Sequence, residues 1–286
     1  MPIFMKTKRL FFQTITPSQE KVLIALAKFK FLTTPQLLNL GVMANSDNLN
    51  KQISELRFWR NPLVASVKFW IHPQYWRLPS IHSLTIHGAK LLKERFGTEL
   101  SVRFPQKNAT SFTDYFHRLS LIDIQISLEQ RTTKQNMEIL FFKTYFDKVS
   151  TGRKKGFRAE SAIPVYGNEY LIADAICMLQ TPNRKELFAI EMYRWDDTNR
   201  VHKSLFHHLQ ALAEGQPSKL FGLDYGSRVL CIFQHESYKK MAMKRLLEDS
   251  RFVSGKNHFL FKSLEELQMN VFEGWELFDG EKVNLF

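Results

Sequence analysis

The hydrophobic period of the chain changes at Asn61-Pro62, and this change limits the folds that the first third of the chain can adopt. Before it, a segment from Ser46 to about Phe58 places Leu49, Ile53 and Leu56 on one helical stripe. After it, apolar residues alternate as in a strand. The residues predicted to share one strand face are Leu63, Ala65, Val67, Phe69 and Ile71. A purely helical and a purely β-sheet domain are therefore both excluded.

Two further helices are predicted before this segment from the residues that begin them. Thr16–Gln19 forms a capping box with proline in the first helical position. Thr34-Pro35-Gln36 repeats the pattern and opens a short helix that stops at Gly41. After the strand come a turn at His72-Pro73-Gln74, a return over Tyr75–Leu78 and a capped helix from Ser83. This order predicts a winged helix-turn-helix domain over residues 1–96.

The positive charge of the chain is concentrated in this first part. Residues 1–100 carry 14 basic and 5 acidic side chains, and the remaining residues carry 26 and 23. Such asymmetry favours a polyanionic partner, double-stranded DNA before a membrane surface. A basic protein without a nucleic-acid partner is the alternative. No uncharged apolar run approaches the roughly 18 residues that cross a bilayer, so we expect no membrane association.

The third predicted helix supplies the residues that would read DNA from the major groove. Candidates for base edges or adjacent phosphates are Asn48, Asn50, Lys51 and Ser54. Candidates for phosphate contacts from the helix end and the wing are Arg57, Arg60, Lys68 and Arg77. A basic loop adds Arg153, Lys154 and Lys155, as phosphate contacts or as a solvated loop. Winged helices also dock proteins, which is the alternative for the whole domain.

The second half predicts a separate domain over residues 110–286, after a polar linker at 97–109. A long helix starts near Ser111, and strands are predicted over Tyr170–Leu179 and Glu186–Tyr193. The turn between these strands sets their register, and it places Asp174 directly opposite Glu191. A register slip of one residue would separate the two side chains.

Two facing carboxylates are costly unless a cation, a proton or a basic side chain neutralises them. Mg²⁺ would do so with Asp174 and Glu191 as ligands, as in many nucleases. The alternative is a carboxylate bound to Arg194, Lys203 or a backbone amide. No cofactor is required by the sequence otherwise. The histidines are not predicted ligands, because His207 and His208 are adjacent and His117 and His202 lack a spaced partner.

The element order of the second domain, helix, three strands, helix and strand, is typical of the PD-(D/E)XK nuclease-like fold. The chain is thus predicted to be a two-domain α/β (α+β) protein. The two cysteines, Cys177 and Cys231, lie far apart in apolar runs, and the first residues lack a signal-peptide apolar core. A soluble, cytoplasmic protein is expected.

Short motifs in both halves resemble the replication-relaxation family, whose members include mobilisation accessory proteins of plasmids and integrative elements. The motifs that carry the resemblance are Thr16–Leu26, Phe31-Leu32-Thr33, Gln36-Leu37, Leu84-Thr85-Ile86-His87-Gly88, Leu92, His117-Arg118-Leu119, Ile163-Pro164, Ala173-Asp174-Ala175, Ala189-Ile190-Glu191 and Lys203. The resemblance implies a DNA-binding accessory protein that assists a relaxase at an origin.

The chain departs from the nuclease pattern at two positions. Tyr193 stands where a lysine is expected two residues after Glu191, and Ala173 replaces the proline before Asp174. Since neutral tyrosine cannot polarise a phosphate, binding is favoured over cleavage. The alternatives are a Mg²⁺-dependent endonuclease that uses Asp174 and Glu191 with Lys203 as substitute base or phosphate clamp, and a transcription regulator that binds a promoter palindrome as a homodimer.

Overall fold

The computed structural model describes residues 14–69, 71–72, 76–98, 100–105, 114–150, 156–165, 167 and 169–286. The chain divides into two compact units, residues 1–112 and 113–286. The mixture of helices and strands confirms the mixed α/β class predicted from the sequence. Among the described residues, no helix combines the length and the apolar character that crossing a bilayer requires.

The described residues of unit 1 form four helices, a three-stranded sheet and a short hairpin. Its elements are α1 (Pro17–Phe29), β1 (Leu32–Thr33), α2 (Thr34–Asn39), α3 (Ser46–Arg57), β2 (Val64–Val67), β3 (Ile71–His72), β4 (Trp76–Arg77), β5 (Ile81–Leu84) and α4 (Ile86–Phe96). Strand β5 lies between β1 and β2, and both pairings are antiparallel. Strands β3 and β4 pair with each other, as the predicted hairpin requires, and residues 73–75 of its turn lie outside the described residues.

The helix starts in unit 1 follow from side-chain caps. Thr16 caps α1, and its capping box with Gln19 is confirmed. For α2 the cap is Thr33, one residue before the predicted position, because the Thr33 hydroxyl accepts from the Gln36 amide while Gln36 accepts from Thr33. The predicted stripe of α3 is confirmed, since Leu49, Ile53 and Leu56 are all buried.

The region after α3 differs from its prediction in the extent of the first strand and in the start of the next helix. Of the residues predicted to share one strand face, Ala65 and Val67 are exposed in β2, and Leu63 and Phe69 are buried and lie outside it. The helix predicted from Ser83 begins only at Ile86, because Ile81–Leu84 is the central strand of the sheet. Thr85 caps the helix by accepting from the Gly88 amide. Gly88 is required there, since a Cβ would lie 2.3 Å from the carbonyl oxygen of Leu63.

The segment predicted as a linker is bound to unit 1 where the structure describes it. The amide of Arg103 donates to the carbonyl of Ala27 at 2.9 Å. Its guanidinium donates to the carbonyl of Lys28 at 3.0 Å. Arg103 therefore fastens this part of the segment to the end of α1.

Unit 2 is built on a seven-stranded mixed sheet. Its elements are α5 (Tyr115–Lys134), β6 (Glu138–Thr144), β7 (Lys148–Ser150), β8 (Phe157–Ala159), β9 (Ala162–Val165), β10 (Glu169–Ile172), β11 (Ala175–Gln180), β12 (Lys185–Tyr193), α6 (Thr198–Ala213), α7 (Gln216–Phe221), β13 (Arg228–Phe233), α8 (Glu236–Leu247), β14 (Phe259–Ser263), α9 (Leu264–Met269), β15 (Trp275–Glu276) and β16 (Lys282–Val283), with a 3₁₀ helix at Ser250–His258. The sheet order is β16-β15-β14-β13-β12-β11-β6, and β12, β13 and β14 run parallel. Two separate pairs, β7 with β8 and β9 with β10, complete the unit.

The predicted register between the two central strands is confirmed, but their extent is not. Ala175 pairs with Ile190, the register that the turn predicted. The single strand predicted over 170–179 is interrupted at Ala173 and Asp174, and β10 pairs with β9 instead. The interruption has a cause in hydrogen bonding. The carbonyl of Ala173 accepts from the Ser161 hydroxyl, and that of Asp174 accepts from the Tyr145 amide.

The long helix α5 starts later than predicted and is buried on most sides. It begins at Tyr115 instead of near Ser111, with Asp114 as its N-cap residue. Residues 111–113 lie outside the described residues. Ser120, Leu121, Ile124 and other residues around the helix are buried. A helix buried on most sides is part of the core of its unit, and its polar side chains therefore meet protein groups.

Candidate functional site

The break before β11 turns the Asp174 carboxylate toward two donors. One oxygen accepts from the backbone amide of Met192 at 2.8 Å. The other lies 2.9 Å from Nε2 of His117, which projects from α5. The side chains of Asp174 and His117 keep 21% and 24% of their exposure. This carboxylate therefore lies partly exposed at the start of the interior strand β11, with both of its oxygens engaged.

The Glu191 carboxylate lies deeper and is paired by a second histidine. Nε2 of His208, from α6, donates to Glu191 at 2.6 Å. Only 6% of Glu191 and 2% of His208 are exposed. Burial, and then the negative charge of Asp174, raises the pKa of Glu191, and the hydrogen bond from His208 opposes that shift. The two acids thus lie close enough to interact, as the sequence predicted, and each is hydrogen-bonded to a histidine.

The two acids also raise the pKa of His117. Burial lowers the pKa of His117, but the hydrogen bond to Asp174 and the charges of Asp174 and Glu191 raise it by more. The net direction is upward, which favours the imidazolium beside Asp174. An imidazolium at His117 would neutralise one of the two carboxylates without a metal ion.

Tyr193 occupies the position where the nuclease pattern expects lysine. Its hydroxyl donates to the hydroxyl of Ser204 on α6 at 3.2 Å, and its ring packs against Phe233. Burial raises the pKa of Tyr193 well above its usual range, so that the phenol stays neutral. Lys203 is exposed, on a different side of α6 from the buried His208. Arg194 stacks on Phe116 at 4.8 Å.

These contacts engage the oxygens that a Mg²⁺ ion would use. Both oxygens of Asp174 and one oxygen of Glu191 accept hydrogen bonds, so a metal ion bound to them would share them with two histidines and a backbone amide. Within the described residues, no group of three or more histidine, cysteine, aspartate or glutamate side chains is arranged to hold a metal ion. Of the sequence alternatives, the backbone amide is the one observed, for Asp174.

Sequence reasoning missed the two histidines of this cluster. His208 had a usable signal, because Val201, Leu205 and His208 recur at helical spacing and share the buried side of α6. A histidine in a buried stripe needs a polar partner, and the facing strand supplies Glu191. His117 had no comparable signal, since α5 is buried on most sides and shows no single stripe.

The second candidate site is the polar side of α3 in unit 1. Asn48, Asn50 and Lys51 are exposed, and Ser54 is half-buried. The helix holds its polar side outward because Leu49, Ile53 and Leu56 fix the opposite side in the core. The residues predicted for DNA reading are therefore on the surface together.

The residues predicted to contact phosphates lie at the end of α3 and after it in the chain, and they differ in exposure. Arg60, Lys68 and Arg77 are exposed, and Arg57 is half-buried at the end of α3. Arg153, Lys154 and Lys155 lie outside the described residues; the flanking strands β7 and β8 pair Ser150 with Phe157.

Behind α3, a buried histidine joins three elements of unit 1. His82 belongs to β5, and its Nδ1 atom lies 2.7 Å from the hydroxyl oxygen of Ser66 in β2. Its Nε2 lies 3.2 Å from the Thr34 hydroxyl of α2. Thr34 in turn donates to Oδ1 of Asn50 at 3.1 Å. Burial, and then the charge of Arg57, lowers the pKa of His82 to about 4, so the ring is neutral at neutral pH.

Comparisons of the chain with protein-family models, with curated proteins and with solved structures give no match.

Proposed function

We propose that the chain is a double-stranded-DNA-binding accessory protein that recognises its site with α3. The observation that carries the proposal is the exposed polar side of α3, with Asn48, Asn50 and Lys51, in the part of the chain where basic residues outnumber acidic ones by 14 to 5. Amide and ammonium groups on one exposed helix side suit base edges and phosphates in a major groove.

The order and pairing of elements in unit 1 support its assignment as a winged helix. Helices α1, α2 and α3 precede a small antiparallel sheet in which β1 joins β5 and β2, and the β3–β4 hairpin occupies the place of the wing. In such domains the third helix enters the groove. Arg60, Lys68 and Arg77 would then meet the phosphate backbone and supply affinity more than sequence choice.

Unit 2 is assigned a binding role in this proposal, as a nuclease-like domain without cleavage activity. Its support is the pairing of Asp174 and Glu191 with His117 and His208, and the neutral Tyr193 in the lysine position. No metal is required. The resemblance of the motifs further suggests a role in plasmid mobilisation or replication, with a relaxase as the protein partner.

Salt-dependent binding to duplex DNA tests the proposal. Phosphate contacts release counterions, so we expect affinity for a labelled duplex, measured by fluorescence anisotropy, to fall steeply between about 50 and 200 mM salt. N48A/K51A should weaken binding at least about tenfold. The matched control is N183A/K185A, which removes the same residue types from an exposed turn of unit 2 and should leave binding unchanged. Absence of binding to any duplex would refute the proposal.

One observation favours the endonuclease alternative, the proximity of the two acids. It is tested by incubating supercoiled plasmid with the protein and Mg²⁺ or Mn²⁺. We expect intact plasmid, because the carboxylates are hydrogen-bonded to histidines and Tyr193 stands in the lysine position. Nicking by the wild type that disappears in Asp174→Asn would establish the nuclease and remove the assignment of unit 2 as a binding domain.

A further inference from the structure

The hydrogen bonds behind α3 form a relay whose direction follows from the Oδ1 acceptor of Asn50. The Thr34 hydroxyl has a single proton, and it donates that proton to Oδ1 of Asn50. Its oxygen must then accept the proton on Nε2 of His82. A neutral imidazole with its proton on Nε2 has an acceptor at Nδ1, which receives the Ser66 hydroxyl. The direction of the relay is thus Ser66 to His82 to Thr34 to Asn50.

The buried members of the relay are held by the core of unit 1. His82 is 6% exposed and lies in the central strand β5, between the strand that carries Ser66 and the helix that carries Thr34. Asn50, by contrast, is exposed, and in the described part of the chain its Nδ2 group has no hydrogen-bond partner. The relay therefore connects a fixed interior group to one surface amide of the helix.

We propose that this relay fixes the orientation of the Asn50 amide, so that Asn50 presents its two N–H donors to DNA and selects an acceptor in the major groove. Ser66, His82 and Thr34 are positioning residues, and Asn50 is the residue that determines specificity. The inference rests on the proposed duplex binding and adds to it the hydrogen-bonding character of one contacted base.

The hydrogen-bonding groups that each base presents in the major groove then determine which bases Asn50 can contact. Purine N7, guanine O6 and thymine O4 accept hydrogen bonds, whereas cytosine offers only its N4 donor on that edge. An N–H donor held in one direction by the relay reaches one base of a pair. It is compatible with guanine, adenine or thymine at that base, whereas cytosine there offers it no acceptor. We expect cytosine to be disfavoured at one position of the bound site, by roughly tenfold in affinity.

Removal of the Thr34 hydroxyl tests the relay without changing charge or bulk. Binding sites are selected from a randomised duplex pool with the wild type, with Thr34→Val and with the conservative control Thr34→Ser. The amide of Asn50 is free to rotate in Thr34→Val, so we expect the exclusion of cytosine at one position to be lost, while affinity for unselected duplex stays within about twofold. Thr34→Ser retains the exclusion. Circular dichroism checks that each variant is folded.

The tautomer of His82 gives a second readout that needs no DNA. In the ¹⁵N-labelled full-length protein, long-range ¹H–¹⁵N correlation should show the proton of His82 on Nε2 and none on Nδ1. A proton on Nδ1, or identical selected sequences for wild type and Thr34→Val, overturns the relay while leaving duplex binding intact. Failure of the wild type to bind any duplex removes the proposed function itself, and with it the role of Asn50.

Discussion

The polar side of α3 and the acid–histidine cluster of unit 2 show opposite uses of polar residues. On α3, Asn48, Asn50 and Lys51 project into solvent. In unit 2, Glu191 and His208 are 6% and 2% exposed and satisfy each other. A buried carboxylate with a short hydrogen bond uses its hydrogen-bonding capacity within the fold. An exposed amide can still form hydrogen bonds with a binding partner. Exposure therefore separates the groups that are available to bind from those that hold the structure together.

The comparison is tested most strongly at His208. In His208→Ala, Glu191 loses its donor and remains in an apolar interior, which costs about 3–5 kcal/mol for a broken buried pair. We expect urea unfolding of the full-length protein to shift to lower denaturant by that amount. A loss below about 1 kcal/mol would mean that Glu191 reaches water and that the cluster is more open than the structure indicates.

The matched control for this variant removes both partners together. In Glu191→Leu with His208→Leu, no unpaired polar group remains, so the double variant should be more stable than His208→Ala alone. Glu191→Gln keeps an acceptor for His208 and should lie between the wild type and His208→Ala. An equally unstable double variant would attribute the loss to packing.

Unit 1 has a buried histidine of its own, which extends the comparison to the interior behind α3. The pKa of His82 falls from 6.5 to about 4 in the folded chain, through burial first and the charge of Arg57 second. The unfolded state therefore binds a proton below about pH 6.5 that the folded state does not take up until about pH 4. Stability from this group is complete above pH 6.5 and declines as the pH falls, by up to about 3 kcal/mol.

This decline is measured by hydrogen exchange of amides in unit 1 at pH 7 and pH 4.5. Because other groups titrate in the same range, His82→Gln is the reference: glutamine stays neutral, so its loss of stability between the two pH values should be smaller than that of the wild type. Equal losses in the two proteins would show that His82 accepts its proton without cost and is not buried as described.

Part of this architecture could be predicted because local rules determine it. The stripe of Leu49, Ile53 and Leu56 fixes α3, and the turn before Lys185 fixes the register that pairs Ala175 with Ile190. Alternation predicted the strand β2 but leaves open which side meets the core, and the structure buries Val64. The preceding Leu63 is buried as well, and its backbone bonds to Leu56 and Thr85.

In the candidate site of unit 2, the pair of acids could be predicted from the sequence, but the histidines that neutralise them could not. The proximity of Asp174 and Glu191 follows from one turn, which is local in sequence. The neutralising groups come from α5 and α6, whose packing on the sheet depends on contacts distant in sequence. Asp174 and His117 are far apart along the chain, so no spacing rule connects them.

The smallest expected effect comes from removing a single positive charge. It tests whether an exposed lysine on α3 contributes more to DNA binding than an exposed lysine elsewhere. Lys51 and Lys244 are both exposed helical lysines, one on α3 and one on α8 of unit 2. If Lys51 meets a phosphate, Lys51→Gln should reduce the slope of log affinity against log salt by about 0.9, and Lys244→Gln should leave it unchanged. Duplex titrations at four salt concentrations measure both slopes. Equal reductions of the two slopes would indicate that the whole basic surface attracts DNA without a preferred side. The polar side of α3 would then bind DNA no differently from the rest of the surface.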